Sequence, residues 1–122
     1  MEKYVDTMKQ TVELAETCLE GIEHIKSRLN EGHFEDKIRL FRDSVEAYYH
    51  MERAIQTLPE NLAANQLEKR TEALRKAFEH VVSAYETGER GKAQEIIQFT
   101  LQPAFKKWKS ELEKAFAPYI VS

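Results

Sequence analysis

Leu67-Glu-Lys-Arg-Thr71-Glu-Ala-Leu74-Arg-Lys-Ala-Phe78-Glu-His-Val81-Val-Ser-Ala-Tyr85 carries the clearest periodicity in the chain. Its apolar-face positions step 4-3-4-3-4, so at 100° per residue they form one narrow stripe of coiled-coil type. A strand would need alternation at every second residue, and the stretch has none. The helix is predicted over 59–86. Before it, Thr57-Leu58-Pro59-Glu60 has the spacing of a capping box, with proline in the first turn where its missing N–H costs nothing. After it, Thr87-Gly88 suits a helix C-terminus.

Helical periodicity continues on both sides. Downstream, Ala93, Ile97, Leu101, Ala104, Phe105, Trp108, Leu112, Ala115 and Phe116 share a face, which predicts a helix over 91–117 that Pro118 ends. Upstream, an apolar arc from Phe34 through Phe41, Val45, Tyr48, Tyr49, Met51 and Ile55 predicts a helix over 34–57. That arc spans about 220° of the wheel, wider than the ~100° that one buried face requires. The second helix must therefore touch more than one neighbour or carry an interface. Val5, Met8, Val12, Ala15, Leu19 and Ile22 predict a first helix over 4–29, closed by Gly32. Matched helices with short connections predict an all-α fold, one domain over 1–122, arranged as an antiparallel up-down-up-down four-helix bundle.

The segment beginning at Gly32 aligns with that beginning at Gly88, 56 positions on, so that Phe41 meets Ile97, Val45 meets Leu101 and Tyr49 meets Phe105. Two readings stay open, a duplicated helical hairpin and the chance agreement of two amphipathic hairpins.

Composition narrows the function. Eighteen Lys and Arg against 21 Asp and Glu give a net charge of −3, which excludes a dominant attraction for nucleic acid or anionic lipid. A single cysteine excludes an internal disulfide framework and any Cys-rich zinc site. The start, Met1-Glu-Lys-Tyr-Val-Asp-Thr, lacks the basic-then-apolar order of a signal peptide, and no apolar run approaches membrane-spanning length. The expectation is a soluble cytoplasmic protein with no membrane partner.

Histidines and carboxylates raise the question of a metal. A di-iron or di-manganese bundle uses Glu-x-x-His on two helices. Gly21, Asn30, Ala47 and Ala77 stand three before the four histidines, so the motif is missing and neither metal nor cofactor is expected. Glu20 with His24 and Glu46 with His50 are spaced i, i+4 on polar arcs and read as solvated faces. No phosphate loop, nucleophile elbow or H-E-x-x-H occurs, so no catalytic residue is assigned. Cys18 lies in the first apolar stripe and reads as a small core residue.

Polar residues on apolar arcs are the remaining candidates. Glu52 falls mid-arc on the second helix and Arg70 mid-arc on the third. A turn near Pro59 brings them within about one helical turn, as a register-fixing buried pair or as a ligand-binding carboxylate tuned by arginine. Lys26 and Lys37 intrude on apolar arcs near Gly32 and read as snorkelling stems. Lys106-Lys107-Trp108-Lys109 is the one aromatic-basic cluster, and its tryptophan sits mid-face, which favours a core role over base stacking. Pro103 lies inside the fourth helix. There it removes the bond to the Phe99 carbonyl and costs about 3 kcal/mol in a regular helix. Phe99 lies off the main apolar face, as a contact surface beside a kink or as a residue covered by a neighbouring helix.

From Gly88 to Trp108 the chain resembles a segment of small uncharacterised helical-bundle proteins of low-GC Gram-positive bacteria. In those the segment runs Gly-Asp-Tyr, an acidic and apolar stretch, Glu-Leu-x-Pro, and Trp five residues after the proline. Here it stands as Gly88-Glu89-Arg90, Glu95 through Leu101-Gln102-Pro103, and Trp108, departing at Gln98 and Thr100 where acids are expected. The resemblance implies a bundle and a bacterial source. It carries no activity, so no functional residues follow from it.

The leading expectation is a non-catalytic protein–protein interaction module, accessory or regulatory, whose partner is itself, as a homodimer, or another protein. Tyr48, Tyr49, Met51, Phe99 and Pro103 are its candidate surface. The alternative is a small-ligand protein or enzyme using the bundle interior around Glu52 and Arg70. Weak nucleic-acid binding through Lys106, Lys107 and Lys109 ranks third.

Overall fold

The computed structural model describes residues 2–28, 34–58 and 65–120. The described residues are helical apart from short turns, with no strand among them. Helix α1 is Glu2–Arg28, α2 is Phe34–Gln56 and α3 is Asn65–Glu86. The fourth rod is continuous but composite. It consists of α4 (Arg90–Ile96), a π-helical segment (Ile97–Leu101) and α5 (Gln102–Phe116), and the junction residues Ile96, Ile97, Leu101 and Gln102 keep right-handed helical angles.

The four rods form the antiparallel up-down-up-down bundle. Cys18 meets Ser44 across α1 and α2, Glu52 meets Arg75 across α2 and α3, Phe78 meets Phe105 across α3 and α5, and Lys109 of α5 reaches back to Glu16 of α1. Between α3 and α4 the chain turns through Gly88 at φ +80°, the left-handed value that glycine adopts without a Cβ clash. The Glu89 N–H donates to the Ala84 carbonyl at 2.8 Å to close the turn.

The segment Thr57-Leu58 belongs to the end of α2. The Thr57 hydroxyl donates to the Ala54 carbonyl at 2.6 Å, and the Leu58 N–H donates to the Ile55 carbonyl. Thr57 thus bonds back into α2, and the described part of α3 runs from Asn65 to Glu86. Residues 59–64, including Pro59, lie outside the described residues, as do 29–33 with the expected stop at Gly32.

Helices α1 and α2 approach closely, because small residues face each other there. Cys18 donates to the Ser44 carbonyl at 3.5 Å, and Gly21 faces Ser44 and Leu40. The fourth rod packs on both α3 and α1, whereas the α2 and α3 backbones stand farther apart. Aromatic side chains fill that wider side. Tyr48 and Phe78 have ring centroids 5.0 Å apart, and Phe41 and Phe78 are 6.1 Å apart. Trp108 lies edge-on to Tyr48 at 5.8 Å and to Phe105 at 5.2 Å. Such pairs add about 0.5–1.5 kcal/mol each beyond the area they bury. The wide apolar arc of α2 thus has a structural cause, since one edge packs on α1 and the other on aromatics from α3.

The two segments that the 56-residue offset aligns differ in helix type. Where the 56-residue offset sets Phe41–Val45 of the regular helix α2 against Ile97–Leu101, the second segment is π-helical.

Candidate functional site

Pro103 explains the π segment. In a regular helix its ring would clash with the preceding turn and the Phe99 carbonyl would lose its donor. Instead the Gln102 N–H reaches five residues back to the Ile97 carbonyl, the turn widens by one residue, and Pro103 becomes an opening residue of α5. An N–H is not needed there. The helical rod therefore continues through the proline, with a π segment at the position where a kink is expected. The buried spacing records it: Ala93, Ile97, Leu101 and Phe105 step by four three times, and each such step advances about 40° beyond a full turn of α-helix. The wider turn takes up that drift and keeps all four inside.

The same geometry exposes Phe99. It is 71% accessible, the most exposed large apolar side chain among the described residues, with Thr100 exposed beside it and Pro103 half-buried. Phe99 and Pro103 are the expected surface candidates that the structure places at the surface. Tyr49 is half-buried. It lines an open cleft between α2 and α3 with Val45, Phe78 and Val82, whose two charged lining residues are Glu79 and Glu86. The cleft offers water-accessible space of about 340 Å³. Burial first, and then the Glu79 and Glu52 carboxylates, raise the Tyr49 hydroxyl above the usual phenol range.

Tyr48 and Met51 are corrections: both are fully buried. Tyr48 points into the core, where its hydroxyl donates to the Thr71 carbonyl at 3.1 Å, and burial pushes that hydroxyl well above its ordinary value. The Trp108 indole N–H donates to the Thr71 hydroxyl at 3.0 Å, and that hydroxyl donates to the Leu67 carbonyl at 2.8 Å. Thr71 thus joins α2, α3 and α5 in one polar network. A threonine on an otherwise apolar seam was the available signal for it.

The expected Glu52–Arg70 pair does not form. Glu52, 13% exposed, pairs with Nε of Arg75 at 3.3 Å. The cause is register. Val45 and Tyr49 share the cleft with Val82 and Phe78, which sets Glu52 level with Arg75. Nε of Arg70 is buried without a hydrogen-bond partner.

The basic cluster divides. Trp108 is buried, so its ring is closed to base stacking. Lys109, 15% exposed, holds Glu16 at 2.6 Å and Glu113 at 2.9 Å, and those hydrogen bonds, Glu113 first, raise its ammonium above the usual lysine range. Lys106 and Lys107 remain exposed. Cys18 is a free thiol that burial pushes up to about 12. Lys26 and Lys37 are half-buried, with Lys37 3.4 Å from His24. Among the described residues no group of three or more His, Cys, Asp or Glu is placed to hold a metal ion, and no helix is long and apolar enough to cross a membrane.

Compared with known proteins, residues 6–111 match a family model described as a domain of unknown function, DUF8042. No curated protein and no solved structure matches the chain.

Proposed function

The chain belongs to the DUF8042 family, and we propose that it is a non-catalytic helical module that works by binding protein. The observation that carries the reading is Phe99, a large apolar side chain held 71% exposed at the point where the fourth rod departs from regular helix. π segments of this kind recur at functional sites. Two of the groups that a chemical role could use are unsuited to it. Glu52 is held by Arg75, and a buried thiol with a value near 12 is a poor nucleophile. The proposed setting is a bacterial cytoplasm, which suits a buried free cysteine.

The test is photo-crosslinking in the native cell with benzoyl-phenylalanine at position 99, and at 113 for comparison. Adducts to protein from position 99 and not from 113 support the reading. A chain that folds and gives no adduct from position 99 overturns it.

A further inference from the structure

The exposed aromatic and the apolar cleft lie on the same molecule, and their charges are opposite. Phe99 has a lysine seven residues away on either side, Lys92 and Lys106, both exposed. From Gly91 to Lys107 the chain carries three lysines against a single acid, Glu95. The cleft floor of Val45, Tyr49, Phe78 and Val82 is bordered by Glu79 and Glu86, with no basic residue among its lining. Those glutamates are also seven residues apart, about 10 Å along α3.

Height along the bundle agrees as well. Phe105 meets Phe78, and Ile96 shares a shallow surface hollow with His80, Ser83 and Ala84. Phe99 therefore stands level with the stretch from Phe78 to Ser83, one helix around from the cleft at the same level.

We propose that the occupant of the cleft is Phe99 of a second copy of this chain. This deepens the interaction reading above and rests on it. Knob and cleft sit at one height and are displaced sideways across α3, so a two-fold axis parallel to the bundle axis engages both pairs at once. Such an isologous contact closes as a dimer and does not propagate. The antiparallel course of α3 and the fourth rod then fixes the charge pairing. Lys92 lies at the end of the bundle where Glu86 lies, and Lys106 is nearer Glu79. Side-by-side copies therefore set Lys92 against Glu86 and Lys106 against Glu79, twice over.

The experiment is sedimentation equilibrium of the full chain with three variants: Phe99→Asp, Glu79→Lys with Glu86→Lys, and Lys92→Glu with Lys106→Glu. All five positions are exposed, and circular dichroism checks that each variant folds. The expected result is a wild-type dimer that salt weakens, with each variant weaker by at least about tenfold in Kd. Mixing the two charge-reversed variants restores a one-to-one dimer, because both sets of charges are again opposed. A wild-type chain that stays monomeric overturns the proposal, as do charge variants that dimerise normally or a mixture that fails to recover. If that monomer still gives adducts to another protein from position 99, self-pairing fails while the interaction reading stands. A monomer without adducts removes both.

Discussion

Replacing Thr71 with valine tests whether the polar network in the core has the weight its geometry implies. Valine keeps the shape and removes the hydroxyl. The Trp108 indole N–H, fully buried and bonded to that hydroxyl at 3.0 Å, is left without an acceptor. A buried donor stripped of its partner costs about 1–3 kcal/mol. The Leu67 carbonyl loses only a second donor, since it lies within α3 and keeps its helical N–H. Thr71→Val is therefore expected to destabilise by about 2 kcal/mol, a fall of roughly 6–10 °C in Tm for a chain of this size. Tyr48→Phe removes a donor to the Thr71 carbonyl, which also keeps its helical partner, so it should cost about half as much. Urea unfolding followed by circular dichroism measures both. A double-mutant cycle of Thr71→Val with Trp108→Phe isolates the pair, with an expected coupling of about 1–2 kcal/mol. A coupling below about 0.5 kcal/mol would show that the hydrogen bond carries no net stability.

Three further outcomes follow from local geometry. Gly21 lies inside α1, and a Cβ there would sit 3.5 Å from the Ser44 hydroxyl and 3.8 Å from Leu40, both ordinary contacts. Gly21→Ala should raise the urea midpoint by the equivalent of about 0.5–1 kcal/mol, and a fall would show that α1 and α2 are closer than described. Gly88→Ala forces an alanine to φ +80° and should cost about 1–2 kcal/mol in the same assay, with no loss at all as the contrary result. Stability should also decline in alkali. The buried Cys18 thiol, raised from 9.0 to about 12, stays protonated in the folded chain while the unfolded chain loses its proton. Tyr48, Tyr49 and Lys109 are raised as well and act in the same direction. Each group removes up to about 1.4 kcal/mol per pH unit while only the unfolded form titrates. Midpoints should therefore fall from about pH 9 upward, less steeply in Cys18→Ala, and a flat profile between pH 8 and 11 would contradict the buried thiol.

The bundle was legible because its faces repeat with the helical period. Leu67, Leu74, Phe78 and Val81 fall on the buried side of α3 as their spacing requires. What a wheel supplies is an angle. It does not say which side of a broad arc has a neighbour, and for that reason Tyr48 and Met51 looked like surface while being core. The register between α2 and α3 cannot be taken from the capping-box spacing, because its threonine bonds back into α2. Glu52 was accordingly matched with Arg70 and not with Arg75. The π segment was written in the sequence as three successive steps of four with a proline inside the third. A constant 100° per residue assumes regularity and hides it. The cleft between α2 and α3 depends on how far aromatic rings hold two backbones apart, a distance that periodicity does not encode.

The widened turn at Ile97–Leu101 also bears on how the length of this chain can change among its descendants. Losing one residue elsewhere in these four rods rotates everything beyond it by about 100°, swinging a core face toward water. Losing one from the widened turn restores ordinary helix there and leaves both flanking faces on the core. That shorter rod would set the Pro103 ring back against the preceding turn, so the deletion becomes tolerable only once the proline has been replaced. Length at this point and the identity of residue 103 are thus coupled traits. Relatives one residue shorter here should carry something other than proline.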